Sequence, residues 1–295
     1  MEFAQLPTLY YQVLAFFWGA IWGSFGNVMI FRLPRGLSVV HPPSACPACH
    51  TPIRPWHNIP VLSYLWLRGR CASCRAPFSA RYAVIEAICG ALGVGVFMHF
   101  DAASAWTPML VTQAAGVFFF LWLLVVLAGI DWDTFILPDT FTLGGTVLFG
   151  LFSWATHFST LVEILSGAAA GFLLFASVSF FYRVVRKREG LGLGDAKLLA
   201  LIGAVLGPLA LIPLVLVAAV QGLLCALIFL AFRLHREPPV PYKGISEADP
   251  EFEELFLKKP DTWMLTPMPF GPFLSAAAIE VFFTQDLWRP FLLGQ

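Results

Sequence analysis

The chain has 295 residues, of which 58% are hydrophobic, 15% aromatic and only 12% charged, with 18 Lys and Arg balancing 18 Asp and Glu. A water-soluble domain carries about 25% charged residues, so this composition excludes one of this size. It excludes a disordered chain by the same figures, since disorder needs charge and little apolar surface. A mean hydropathy of +0.76 points instead to a polytopic membrane protein.

About 20 apolar residues cross a hydrocarbon core of about 30 Å. Runs of that kind predict helices over residues 6–30, 82–100, 107–130, 141–158 and 161–182. Residues 198–232 carry no charge and are too many for one helix; Gly207-Pro208 is the expected break, because proline interrupts a helix and favours a turn. A short sixth helix, 196–206, and a full-length seventh follow, with an eighth over about 269–283. The first helix lacks a small-residue cleavage pattern and reads as an anchor rather than a removable signal. With eight helices, 17 of the 18 basic residues fall in odd-numbered connections and only Arg289 lies on the other side. By the positive-inside rule the odd connections are cytoplasmic and both termini face outward.

The first connection holds seven arginines, no acid, and the pairs Cys46-Pro-Ala-Cys49 and Cys71-Ala-Ser-Cys74, with 21 residues between the pairs. Two such knuckles can close a tetrahedral four-thiolate site for zinc, or for iron in its place. Disulfides are the competing reading, disfavoured in a cytosolic loop. Four thiolates leave no open coordination position, so the metal is expected to be structural. His41, His50 and His57 lie nearby but are not needed as ligands, and Cys89 and Cys225 read as small residues of apolar helices.

Acidic residues form two further groups. The third helix runs into Ile130-Asp131-Trp132-Asp133-Thr134-Phe135-Ile136-Leu137-Pro138-Asp139. Asp139, just before Thr140, could cap the fourth helix, Asp133 could be solvated, and Asp131 lies closest to the hydrocarbon. The second group is Gly190-Leu191-Gly192-Leu193-Gly194-Asp195-Ala196-Lys197. Its glycines allow close backbone approach, and its spacing fits neither phosphate-binding pattern. Asp195 could be a helix cap; but a sixth helix of 11 residues spans only about 17 Å, which would place it below the membrane surface, where carboxylates are functional candidates. Two aspartates facing each other share a proton and can activate water against a peptide carbonyl. A proton-coupled transporter would use such a pair as a relay. Glu86, within the second span, is open to a helix–helix contact or a place lining the site.

At these residues the sequence resembles the bacterial type IV prepilin peptidases, bifunctional leader peptidases and N-methyltransferases of the GxGD aspartic type. The motifs, in order, are Gly23-Ser24-Phe25-Gly26-Asn27-Val28 with Arg32-Leu33-Pro34, the two cysteine pairs, Pro55-Trp56-His57-Asn58-Ile59-Pro60 with Ser63-Tyr64-Leu65, Ile130-Asp131 with Leu137-Pro138-Asp139, Gly192-Leu193-Gly194-Asp195-Ala196-Lys197, and Pro269-Phe270-Gly271-Pro272. The resemblance implies an all-α polytopic membrane protein of about eight transmembrane helices with a small zinc-ribbon-like cytoplasmic loop domain. It places catalytic aspartates at Asp131 and Asp195. It implies cleavage of the short basic leader of prepilins and pseudopilins after a glycine, at the cytoplasmic face of the bacterial inner membrane. Methylation of the new N-terminal residue by S-adenosyl-L-methionine follows, assigned to the first loop, where Gly69 matches a glycine implicated in it. Substrates and the lipid bilayer are the expected partners, and nucleic acid is not. The expected organisation is a first transmembrane helix, 1–31, a tetra-cysteine loop domain associated with methyl transfer, 32–81, and a membrane peptidase domain, 82–295, with an acidic insertion near 233–268. That insertion holds Glu247, Asp249, Glu251, Glu253, Glu254 and Asp261; it reads either as a solvated segment or as an electrostatic contact for the basic leader. A third reading of the chain is a non-catalytic assembly protein of the pilus or secretion machinery.

Overall fold

The computed structural model describes residues 8–101, 107–186, 192–232 and 268–294. The acidic insertion and the basic residues Lys187, Arg188, Arg233, Arg236, Lys243, Lys258 and Lys259 lie outside the described residues. Those described form helices α1 (Thr8–Arg32), α2 (Leu62–Trp66), α3 (Arg81–Asp101), α4 (Pro108–Thr134), α5 (Asp139–Ala155), α6 (Leu161–Arg186), α7 (Leu193–Leu206), α8 (Leu211–Phe232), α9 (Gly271–Phe283) and α10 (Gln285–Leu293). Single turns of 3-10 helix lie at Pro55–His57 and Pro208–Ala210. The fold class is that expected: all-helical, with no strand among the described residues. Five helical segments are long and apolar enough to cross a bilayer: Thr8–Arg32, Arg81–Phe100, Pro108–Thr134, Leu161–Tyr182 and Pro208–Phe232. The protein is a multi-pass membrane protein. Helices α5, α7 and α9, of 17, 14 and 13 residues, fill the remaining predicted places.

The chain divides into two compact units, Met1–Val126 and Leu127–Gln295, with the boundary inside α4. In the first unit, α1 packs along α3 through small residues. A Cβ on Gly23 would lie 2.8 Å from the Glu86 Cα, and one on Gly19 would strike the Cys89 carbonyl. Such close backbone approach is how membrane helices associate where lipid removes the hydrophobic drive. The Trp122 indole donates to the Trp22 carbonyl at 2.7 Å, its ring meets those of Trp22, Phe25 and Phe119, and beside them the Trp18–Phe118 centroids are 4.4 Å apart. Each such ring pair adds about 0.5–1.5 kcal/mol beyond its buried area.

In the second unit, α6 lies against α7 through Gly167 and Gly171. Added Cβ atoms there would strike the Gly203 and Leu199 carbonyls. The predicted break falls where expected: α7 ends at Gly207, whose φ of +81° suits glycine, and Pro208 opens the next turn. Helix α7 starts three residues earlier than its apolar run, because Leu193, Gly194 and Asp195 already form its first turn. Two elements have no counterpart among the predicted helices. Helix α2 is a five-residue piece within a polar segment, and α10 carries mixed polar and apolar residues that no apolar run marks.

Candidate functional site

Helix α4 does not end at Ile130. Nothing in Asp131-Trp132-Asp133-Thr134 breaks a helix, and it continues until Phe135, whose φ of +58° turns the chain while its amide bonds the Asp131 carbonyl at 2.9 Å. The Thr134 hydroxyl closes this end, donating to the Ile130 carbonyl at 2.9 Å and accepting the Ile136 amide at 3.3 Å. Asp131 therefore sits in the last helical turn, 4% exposed, where the helix dipole presents its negative end. The Gly271 amide, first of α9 and 140 residues away, donates to Asp131 Oδ2 at 3.0 Å. A Cβ at position 271 would lie 2.5 Å from that oxygen and 3.1 Å from Cγ, so only glycine brings the α9 N-terminus onto the carboxylate. Gly271→Ala is expected to displace Asp131 and to lower any turnover in which the Asp131 carboxylate takes part by about 10²-fold, with helix content unchanged by circular dichroism. Unaltered turnover would show that this contact does not position a reacting group.

Asp195 is not the cap of α7. That place belongs to Gly192, and Asp195 lies in the first turn with its amide on the Gly192 carbonyl at 3.1 Å. The residue as a whole is half-buried. Asp139 is not a cap either: Pro138 precedes α5, and the Asp139 carboxylate reaches across to Lys197 Nζ at 2.6 Å. A Cβ on Gly194 would come 3.3 Å from the Leu137 Cβ, so the glycine lets Leu137 pack on the first turn of α7. The two acidic segments, far apart in sequence, are thus held together by Leu137 on Gly194 and by Asp139 on Lys197. Among the acids of the first segment, Asp131 is the buried one; Asp133 is partly exposed and the Asp139 side chain is 61% exposed.

In the first unit the four predicted cysteines converge. Their Sγ atoms all lie within 4.8 Å of one another, and those of Cys46 and Cys74 are 3.8 Å apart. A tetrahedron with metal–sulfur bonds of about 2.3 Å has edges of about 3.8 Å. The two knuckles are built alike. His50 and Arg75 bond back to the Cys46 and Cys71 carbonyls at 2.9 and 3.1 Å, each at positive φ, and the bridges Ala45–Pro52 and Arg70–Pro77 close the bases. The Thr51 hydroxyl and amide lower the Cys49 thiol to about 6. The Ala76 amide favours the Cys74 thiolate, yet desolvation and three neighbouring sulfurs push that thiol up to about 11. Four sulfurs this close repel as anions, so the donor set fits a divalent cation. Among the described residues no histidine joins them.

Gly69 is buried at φ +65°, its amide on the Tyr64 carbonyl at 2.9 Å, and an added Cβ would lie 2.8 Å from the Tyr64 ring. Glu86 makes a helix–helix contact, with the Ser24 hydroxyl of α1 beside its carboxylate, and its Oε2 also accepts the Val61 amide at 2.7 Å. Val61 sits at φ +62°, ψ −51°, with the Leu62 amide on the Pro60 carbonyl at 2.6 Å. That is the rare γ-turn, costing on the order of 1–3 kcal/mol for a β-branched residue. Sequence reasoning assigns no role to Gly271 or Val61; the glycine just before Pro272 at a helix start is the available signal for the first.

The bacterial peptidase A24 N-terminal domain matches residues 17–100, and the type IV leader peptidase family matches residues 118–227. Among curated proteins, a prepilin leader peptidase/N-methyltransferase of Aeromonas hydrophila is 36% identical over 264 aligned residues, covering 80% of this chain and 87% of that one. A protein of the same name from Burkholderia pseudomallei is 35% identical, covering 95% and 88% respectively. One from Stutzerimonas stutzeri is 31% identical, covering 94% and 92%. No solved structure matches the chain.

Proposed function

The chain belongs to the type IV leader peptidase family, and on that premise we propose that it cleaves the basic leader from prepilins or pseudopilins and then N-methylates the new terminus. The observation that carries this reading is the packing of the Asp131 and Asp195 segments on each other, with Asp131 buried and fixed by the Gly271 amide. Like charges brought close share one proton. The ionised carboxylate takes a proton from water as its oxygen attacks the scissile carbonyl carbon, while the protonated one donates to the carbonyl oxygen. Collapse breaks the C–N bond, and the leaving amine takes up a proton from the pair. Seventeen of the 18 basic residues mark the face of this site as cytoplasmic under an eight-span arrangement. Helix α7, about 21 Å long at 1.5 Å per residue, then begins below the surface, which brings Asp195 to the level at which a substrate's apolar helix ends.

The four cysteines would hold zinc as a structural ion. Its chemistry there is to neutralise the thiolates and close the loop, with no open position for substrate. S-adenosyl-L-methionine supplies an electrophilic methyl group for the second activity. The chain's part in that step is to present the loop around Gly69. Gly69→Ala, strained at positive φ and striking Tyr64, is expected to lower methylation by about 10²-fold and leave leader cleavage at the wild-type rate. The reading is tested by incubating the detergent-purified protein with a prepilin, with and without the methyl donor. A full-length substrate after incubation contradicts the peptidase assignment. Parallel loss of both products in Gly69→Ala contradicts the placing of methyl transfer in the loop.

A further inference from the structure

The loop between α1 and α3 is folded inside out for a soluble domain. Its buried residues between 33 and 80 are only Pro34, Cys46, Pro60, Gly69 and Cys71. Its large side chains face outward instead: Trp56 is 57% exposed, Leu65 65% and Trp66 81%, with Ile59 and Leu62 exposed beside them. All five fall within eleven residues of sequence. An apolar patch rimmed by polar residues marks an interaction site.

The position of this patch follows from the Val61–Glu86 bond. Glu86 is the sixth residue of α3, so it lies about 8 Å into a helix long and apolar enough to cross a bilayer. The Val61 amide is 2.7 Å from its carboxylate, and the Ser24 hydroxyl of α1 lies beside the same group. The γ-turn directs the Val61 amide away from its own turn, where burial would leave it without a partner; Glu86 supplies that partner. Residues 59–66 are therefore held level with the first turns of a membrane span. The surrounding charge has one sign: five arginines and no acid between 33 and 80, among them Arg54 and Arg68 flanking the patch.

We propose that residues 56–66 form a monotopic docking element, seated in the headgroup layer of an anionic bilayer and held at that depth by Glu86. Ile59, Leu62, Leu65 and the two tryptophans enter the acyl boundary, as in interfacial helices with a basic rim, and the arginines meet lipid phosphates. The element keeps Tyr64 and Gly69 at the bilayer face; this consequence alone rests on the methyl-transfer reading above.

The experiment uses the full chain in nanodiscs of phosphatidylethanolamine with phosphatidylglycerol. The photoreactive residue benzoylphenylalanine replaces Trp66 or, as a control, the exposed Ser73 between the second cysteine pair. A phospholipid adduct at 66 and none at 73 is the expected result, with a lower yield when phosphatidylcholine replaces the anionic lipid. Glu86→Leu should reduce the adduct at 66 and Glu86→Gln, which keeps a carbonyl acceptor, should restore it. An adduct with added prepilin in place of lipid, or no adduct at 66, overturns the proposal. So does a yield that Glu86→Leu leaves unchanged. None of these outcomes depends on cleavage or methylation, so a failure here is separable from a failure of the enzymatic reading.

Discussion

Asp131→Asn and Asp195→Asn are each expected to lower leader cleavage by about 10²–10⁴-fold, the range that a positioned acid or base contributes, while the protein remains folded and inserted. An amide neither accepts the proton of the attacking water nor donates one to the carbonyl oxygen. The change is otherwise small. In Asp131→Asn the side-chain carbonyl oxygen still accepts the Gly271 amide, which lies 3.0 Å from Asp131 Oδ2 in the wild type, so the junction of α4 and α9 is kept. The amide of Asp195→Asn occupies the same place in the first turn of α7. Loss of activity in these variants therefore reports chemistry and not packing. Methylation of a substrate whose leader has already been removed should proceed at the wild-type rate in both. A proton-coupled carrier would lose transport and have no cleavage to lose.

Removing the proposed zinc is expected to be nearly as severe for the loop. With no large side chain buried between 33 and 80, the four sulfurs are the main point at which its two halves close on each other. Structural zinc in comparable small domains contributes about 10–16 kcal/mol at neutral pH, as much as the whole stability of a typical domain, about 5–15 kcal/mol. Cys46→Ser, or a strong chelator on the wild type, should release one metal ion per chain, open residues 33–80 to protease and abolish methylation. Because the Cys74 thiol, at about 11, must lose its proton to ligate, binding releases protons and weakens as the pH falls. Elemental analysis of the purified protein checks this directly. A metal-free chain with a protease-resistant loop would remove the assignment.

Which parts of this structure are legible in the sequence follows from how local each signal is. The turn at Gly207-Pro208 is readable because both residues constrain their own backbone. The cysteine pairs are readable because a metal knuckle needs its ligands three apart. Hydropathy places the end of α4 four residues early because it records where lipid contact stops, and Asp131 faces protein at a level where the helix continues. The partner of Asp131 lies 140 residues away. No local pattern encodes that pairing, although Gly271 is visible within a motif. Asp139 has the look of a helix cap and is instead an ion-pair partner of Lys197, since Pro138 already starts α5 without a side-chain cap. Glu86 is conspicuous as a charge in a span, but its role depends on the backbone geometry at Val61.

The central assignment, a peptidase that uses Asp131 and Asp195 and then methylates its own product, is tested most directly by N-terminal mass analysis of a prepilin co-expressed with the wild-type chain, with Asp131→Asn and with Asp195→Asn. The expected result is a shortened prepilin, heavier by one methyl group at its new terminus, with the wild type, and the full-length unmethylated prepilin with either variant. A shortened prepilin at wild-type abundance with either variant would contradict it.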